Sequence, residues 1–268
     1  MQKPTIGFVP TMGFLHEGHA SLIKRARSLD DVVIVSIFVN PLQFGPNEDY
    51  NRYPREIEQD EKLCEGLGVD LIFAPTALEM YGADGCETSI HVAYLGDHLC
   101  GASRPGHFDG VCTVVAKLFQ IVTPDRAYFG KKDAQQWRIV RRMVKDLSMP
   151  VEIVPCEIVR EEDGLAKSSR NVYLSPEERQ EAVHLRKTLL LIQDAAIKGQ
   201  RDVKQLKSLA LAYLADHPLV ALDYLELVDG DTLQPCAAIR GEAPTLCAIA
   251  AYVGKTRLID NIELELRA

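Results

Sequence analysis

Through residue 158, short runs of apolar β-formers alternate with stretches whose apolar positions recur at helical spacing. Residues 5–10, 32–39, 69–74, 126–129 and 151–155 read as strands, and 89–94 as a further candidate. Between them, Leu22, Ile23 and Ala26 mark an amphipathic stretch, and Ile57, Leu63 and Leu67 recur at near-helical spacing. Val111, Val114, Val115, Leu118 and Phe119 mark a third helix, and Ile139, Val140, Met143, Val144 and Leu147 a fourth. Strands alternating with helices of this length predict right-handed βαβ units. The strand runs are apolar on both faces, as parallel strands are when helices cover both sides of the sheet. The expected fold of this part is therefore α/β.

Past residue 158 the pattern changes. Ser175-Pro176-Glu177-Glu178 combines a Ser N-cap, Pro at the first helical position and a Glu that completes a capping box. The helix it opens is expected to run to Gly199, with a second helix ending near Ala215. Three strand-like runs follow, at 221–228, 246–253 and 258–263. The organisation predicted is a larger domain over residues 1–158 and a smaller α+β domain over 159–268.

Composition narrows the function. With 47% hydrophobic and 25% charged residues in 268, the chain can bury a sizeable core. Thirty basic against 38 acidic residues disfavour a nucleic-acid partner, which needs clustered Lys and Arg, though not a local basic pocket. The longest apolar run, 32–39, is far too short for a membrane helix, and the first residues carry no extended apolar signal segment. The seven cysteines are never closer than 11 residues, so they form no zinc knuckle or dithiol motif. They read as small buried hydrophobes in a reducing cytoplasm.

Four clusters carry candidate chemistry, and each of the first three follows a strand. Met12, Gly13, Phe14, Leu15, His16, Glu17, Gly18 and His19 join the first strand to a helix expected to begin near Gly18. A helix N-terminus at the carboxyl end of a parallel strand offers N–H groups and a positive dipole end to a phosphate. His16 and His19 are three apart and can share one side of that turn; capping or core histidines are the alternative. Asn40 and Gln43, in residues 38–44, are neutral groups suited to a hydroxyl and a carboxylate, with Tyr50, Tyr53 and Arg55 nearby. Gly130, Lys131, Lys132 and Asp133 lead into a helix, with Asp133 as its expected N-cap and Gln136 on its first turn. Residues 163–171, with Lys167, Ser168, Ser169 and Arg170, form a hydroxyl-rich basic loop suited to polyphosphate oxygens. Together these features suggest nucleoside triphosphate binding and activation of a small acid by nucleotidyl transfer.

The motifs PTMGFLHEGH, FVNPLQF, GKKDAQQ and DGLAKSSRN, with RPGHFDGV between the second and third, resemble those of the pantoate–β-alanine ligase family. The first block is similar to the HIGH signature of the wider nucleotidyltransferases, and the last stands where their KMSKS loop would be. The resemblance implies a Rossmann-like domain, a smaller carboxy-terminal lid domain and a homodimer. It implies that ATP and (R)-pantoate form pantoyl-adenylate, that β-alanine then displaces AMP, and that Mg2+ accompanies the ATP. By resemblance, Met12 through His19, Gly130 through Asp133, Val159 and Lys167 through Arg170 contact ATP, while Gln43 and Gln136, with Asn40, hold pantoate. His16, His19, Lys132 and Arg170 are the catalytic candidates. The family names His19 as proton donor; a carboxylate nucleophile has no proton to lose, so hydrogen bonding to phosphate is the service expected here. No metal ligand is assigned, Asp60 being only a candidate for magnesium. The position before Ser168, commonly Met or Leu in the family, is Lys167 here, and many members carry a helix before the first strand. Another HIGH-type adenylyltransferase acting on a small acid or a mononucleotide is the enzymatic alternative, but for a mononucleotide Gln43 and Gln136 supply no cationic cluster to meet the acceptor phosphate. A nucleotide-binding regulatory module without catalysis is the alternative outside enzymes.

Overall fold

The computed structural model describes residues 3–46, 48–241 and 244–264. In chain order its elements are β1 (Ile6–Thr11), α1 (Glu17–Arg27), β2 (Val32–Ile37), α2 (Ile57–Gly66), β3 (Leu71–Phe73), α3 (Ala77–Tyr81), α4 (Cys100–Ser103) and α5 (His107–Val122). These continue with β4 (Arg126–Gly130), α6 (Ala134–Asp146), β5 (Glu152–Cys156), α7 (Pro176–Ala182), α8 (His184–Ile197), α9 (Val203–Leu214), β6 (Val220–Asp229), β7 (Thr245–Val253) and β8 (Thr256–Leu264).

β1 to β5 form one parallel sheet in the order β3-β2-β1-β4-β5. Phe8, Val9, Val33, Val35, Ala127 and Tyr128 are fully buried in its central strands. Ile23 and Ala26 of α1 and Cys64 of α2 close over one side with Val9, Val33 and Val35. The chain winds outward from β1 to β3, then returns across β1 to β4. The carboxyl ends of β1 and β4 thus flank the point where the winding reverses, the position at which open α/β sheets leave a crevice.

A second compact unit is formed by residues 160–268 together with 97–103; the first holds 1–96 and 104–159. The hydrophobic pattern leaves 97–103 with the first part, but Ser103 Oγ donates to Asp223 and the Cys100 thiol lies 3.2 Å from the Tyr224 hydroxyl. In the second unit, β6, β7 and β8 form an antiparallel sheet, and its core joins Leu185, Leu189, Ile192, Leu206, Leu227 and Ile249.

Two elements differ from expectation. Residues 89–94 are irregular and largely exposed; the Ile90 N–H donates to Thr113 Oγ1 and His91 pairs with Asp109, so no strand ladder forms. The long helix expected to run to Gly199 is two helices, α7 and α8, jointed at buried Val183. Apolar spacing runs unbroken through the joint, which is why the pattern does not show it. The capping box at Ser175 is present: its hydroxyl accepts from Glu178 N–H and the Glu178 carboxylate accepts from Ser175 N–H. Among the described residues, no helix is long and apolar enough to cross a membrane.

Candidate active site

The loop after β1 is shaped by two consecutive left-handed residues, Gly13 (φ 79°) and Phe14 (φ 52°). A side chain at Gly13 would place its Cβ 2.8 Å from Ile37 Cγ2 and 3.0 Å from Asp60 Oδ2, so only glycine fits. Asp60, buried on α2, holds this loop from beneath. Its Oδ2 accepts the Phe14 N–H at 2.8 Å and its Oδ1 the Leu15 N–H at 2.6 Å. Burial raises its pKa above the usual carboxylate value, against the two amide bonds, which lower it.

The loop delivers His16 to the N-cap of α1, which begins at Glu17. His16 Nδ1 accepts the Gly18 N–H at 3.0 Å, and His19 Nδ1 accepts the His16 N–H at 3.2 Å, a capping box made of two imidazoles. Their ring centroids are 4.1 Å apart. A ring nitrogen that accepts an N–H carries no proton, so each neutral ring bears its hydrogen on Nε2. His19 is half-buried, and burial, followed by its neighbours His16 and Lys132, both of which disfavour a second proton on it, pushes its pKa down to about 3. The histidines are helix caps, as the alternative reading of the sequence has it, and cap geometry is what fixes their Nε2–H as donors.

Lys132 lies in the 3-10 turn Lys131–Asp133 after β4, on the other side of the switch point, and its effect on His19 brings the β1 and β4 loops together electrostatically. Lys131 instead pairs with Glu157. Asp133 stands at the N-cap of α6, but its side chain makes no capping hydrogen bond, because its φ −90° and ψ 61° depart from cap geometry. Gln135 is buried and donates to the Leu95 carbonyl, leaving Gln136 as the half-exposed amide of that turn.

Gln43, also buried, closes the 3-10 turn Pro41–Gln43 and points its Nε2 at Met12 Sδ, 3.0 Å away. Asn40 is placed differently from the expectation that it holds substrate. Its Nδ2 donates to Gln43 Oε1 (3.2 Å) and the Gly110 carbonyl (3.1 Å), and its Oδ1 accepts from Leu42 N–H (3.2 Å) and the Tyr81 hydroxyl (2.7 Å). That uses both donors and both acceptor positions of the amide. Asn40 therefore orients Gln43 from behind. Gly110 permits the arrangement, since a Cβ there would lie 2.2 Å from Leu42 O. Arg104 and His107 brace the same turn: Arg104 pairs with Glu48, and His107 Nδ1 donates to Gln43 O at 2.8 Å while its Nε2 accepts from Arg104 at 3.0 Å. Burial, with Arg104 beside it, lowers the His107 pKa to about 4. Tyr50 and Tyr53 pack around Phe44, with Arg55 over the Tyr50 ring.

Val159 ends the first unit, and the basic loop belongs to the second. There the Asp163–Gly164 turn is closed by a Glu161 N–H to Leu165 carbonyl bond of 2.8 Å, and Arg179 pairs with both Glu161 and Asp163. Ser168 N-caps the 3-10 helix Ser169–Tyr173 by accepting the Arg170 N–H. Asn171 Nδ2 ties the loop back to the Ala166 carbonyl at 3.2 Å. Ser169 is buried; Lys167, Ser168 and Arg170 are half-buried.

Spacing does not reveal Tyr81, Gly110 or the bracing role of Arg104. Asp60 left a signal: one turn before Cys64, it sits on the face that α2 buries, an acid where an apolar residue belongs.

The sheet order and the loops at its reversal place the chain among α/β proteins that take ligands at a topological switch point. It belongs to the pantoate-beta-alanine ligase family, whose family model matches residues 1–263. It is 58% identical over 260 residues to a pantothenate synthetase of Thermotoga petrophila, covering 97% of this chain and 92% of that one. The fold is that of the pantoate-beta-alanine ligase structure from Thermus thermophilus, with a TM-score of 0.93, 49% identity and coverage of 98% and 94%. It is also similar to the Francisella tularensis pantoate-beta-alanine ligase complexed with beta-gamma ATP and beta-alanine, at TM-score 0.80, 37% identity and coverage of 99% and 92%.

Proposed function

We propose that the chain condenses (R)-pantoate with β-alanine, using ATP, through a pantoyl-adenylate. In the first half-reaction a carboxylate oxygen of pantoate bonds to the α-phosphorus of ATP, and pyrophosphate leaves with the electrons of the bond that breaks. In the second, β-alanine sheds a proton from its ammonium, its nitrogen attacks the acyl carbon, AMP leaves, and the nitrogen loses a further proton to become the amide.

The observation that carries this reading is the pair of imidazoles capping α1 at the switch point, with Lys132 acting on His19 from the opposite loop. Negative charge grows on the phosphates as pyrophosphate departs, and donors already fixed in place stabilise it without reorganising. His19, held neutral, serves as a hydrogen-bond donor rather than a proton carrier. Met12 through His19, Gly130 through Asp133 and Val159 hold ATP in this reading, with Lys131 contributing least because Glu157 already holds it. Lys167, Ser168, Ser169 and Arg170 add contacts to the phosphates. Gln43 and Gln136 hold pantoate, and Asn40 positions Gln43. Magnesium keeps several waters and binds phosphate oxygens with one or two carboxylates. Asp60 is buried with one loop amide on each oxygen, so in this reading it serves the loop, and a magnesium carried in on ATP would be held by phosphate oxygens and water. A homodimer and a cytoplasmic location belong to the same reading; the seven free cysteines fit a reducing compartment.

ATP–pyrophosphate isotope exchange tests the mechanism. It should require pantoate and magnesium but not β-alanine. Exchange that appears only with β-alanine present would refute the two-step route.

A further inference from the structure

Outside the candidate active site, the second unit gathers three metal-ligating side chains from separate elements. Glu181 lies in the last turn of α7, His184 opens α8 just past the Val183 joint, and His217 follows α9 in the turn closed by its own N–H to the Leu214 carbonyl. One donor atom from each lies within 4.8 Å of the other two, and all three residues are half-buried. The His184 and His217 rings stack, with centroids 3.3 Å apart and planes inclined by 29°.

An imidazole binds a metal in its own plane, so a shared cation requires one ring to turn out of this stack; the other distances are near those a cation needs. His217 Nδ1 is 3.2 Å from Glu181 Oε2, a hydrogen bond as it stands and also close to the edge of about 3.3 Å of a tetrahedron with zinc–ligand bonds of about 2.0 Å. His184 Nδ1 is 2.6 Å from the Tyr213 hydroxyl, the kind of outer partner that orients a ligating imidazole and leaves its other nitrogen for the metal. Two neutral imidazoles and one carboxylate form a borderline-soft set that suits zinc and its neighbours and is poorly matched to magnesium, which takes oxygen donors.

We propose that Glu181, His184 and His217 bind one zinc-class divalent cation, with water as the fourth ligand. The ion clamps the jointed end of α7 and α8 to the turn after α9. It takes no part in the ligase chemistry.

The test uses the full chain, stripped with chelator and kept reduced, titrated with Zn2+ against a chromophoric competitor. His184→Gln and His217→Gln should each lose one equivalent that the parent binds, whereas His16→Gln should keep it. The parent's melting temperature should rise with Zn2+ and that of His217→Gln should not, as for a ligand bound by the native state alone. Should the variants fold poorly, histidine modification of the parent read by peptide mass spectrometry replaces them: Zn2+ should protect His184 and His217. Equal stoichiometry in parent and variants, an equivalent lost with His16 instead, or absence of protection at His184 and His217 would overturn the proposal.

Discussion

Replacing Asp60 by Asn changes one atom of a buried side chain and separates two roles for it. In the structure each carboxylate oxygen accepts one amide of the β1 loop, at 2.8 Å from Phe14 and 2.6 Å from Leu15. Asn keeps one acceptor and sets its NH2 against the other amide, donor facing donor. One hydrogen bond to a charged group is lost, about 1.5–3 kcal/mol, and a buried N–H is left unpaired, about 1–3 kcal/mol. A combined loss of roughly 3–5 kcal/mol falls on a loop held in two left-handed residues. At about 1.4 kcal/mol per tenfold, much of the population leaves the conformation that presents His16 and His19. Because the remaining contacts of the loop absorb part of the loss, kcat/KM for ATP should fall by about 10–10²-fold, with a much smaller change for pantoate. Initial rates of pyrophosphate release, with ATP and pantoate varied separately, measure both. A metal ligand would behave otherwise: excess magnesium would restore much of the loss, whereas a loop anchor gives no such rescue. Parental ATP kinetics in the variant, or rescue by magnesium, would refute the reasoning.

His19→Ala and Lys132→Ala should each slow adenylate formation by about 10²–10³-fold, as for loss of one preset electrostatic donor. His19→Ala should also lower unfolding stability by about 0.5–2 kcal/mol, the cost of a lost helix cap, read by urea denaturation; loss of stability with intact adenylation would reduce His19 to a cap. The pH dependence has a definite sign. His19 and His107 have pKa values lowered from 6.5 to about 3 and about 4, so between these limits the unfolded chain binds protons that the folded one refuses. Stability from both residues is complete above about pH 6.5 and is lost progressively as pH falls toward 4. Urea midpoints from neutral pH to about pH 4.5 should therefore fall less steeply for His107→Gln than for the parent, and parallel curves would contradict the burial argument.

The parallel sheet was legible because buried strands leave runs of apolar residues and their helices leave a stripe at helical spacing. The clusters after β1, β2 and β4 were legible for a related reason: parallel winding brings every such loop to one edge. What the chain did not disclose depends on contacts between distant residues. Asn40 and Gln43 look equivalent in FVNPLQF, and only Tyr81 and the Gly110 carbonyl, far along the chain, turn one into a support and leave the other as a candidate contact. Lys131 and Lys132 are neighbours of the same type, separated in role by Glu157. Residues 89–94 have strand-like composition but lack a neighbouring strand to pair with, and composition cannot supply one.

The two histidines at the start of α1 bear on any effort to make this enzyme sturdier. Ser, Thr, Asp and Asn are the favoured N-cap residues, and a designer ranking substitutions by thermal resistance would write one of them at position 16. Such a change keeps the hydrogen bond to Gly18 and discards the ring nitrogen that the proposed mechanism turns toward the phosphates. In the proposed reading the helix cap and the phosphate donor are the two nitrogens of one ring, Nδ1 and Nε2, so optimising one erodes the other. Hardening the protein has to proceed elsewhere, for instance at the exposed apolar positions Ile197 of α8 and Leu211 of α9, away from the residues assigned to ligand.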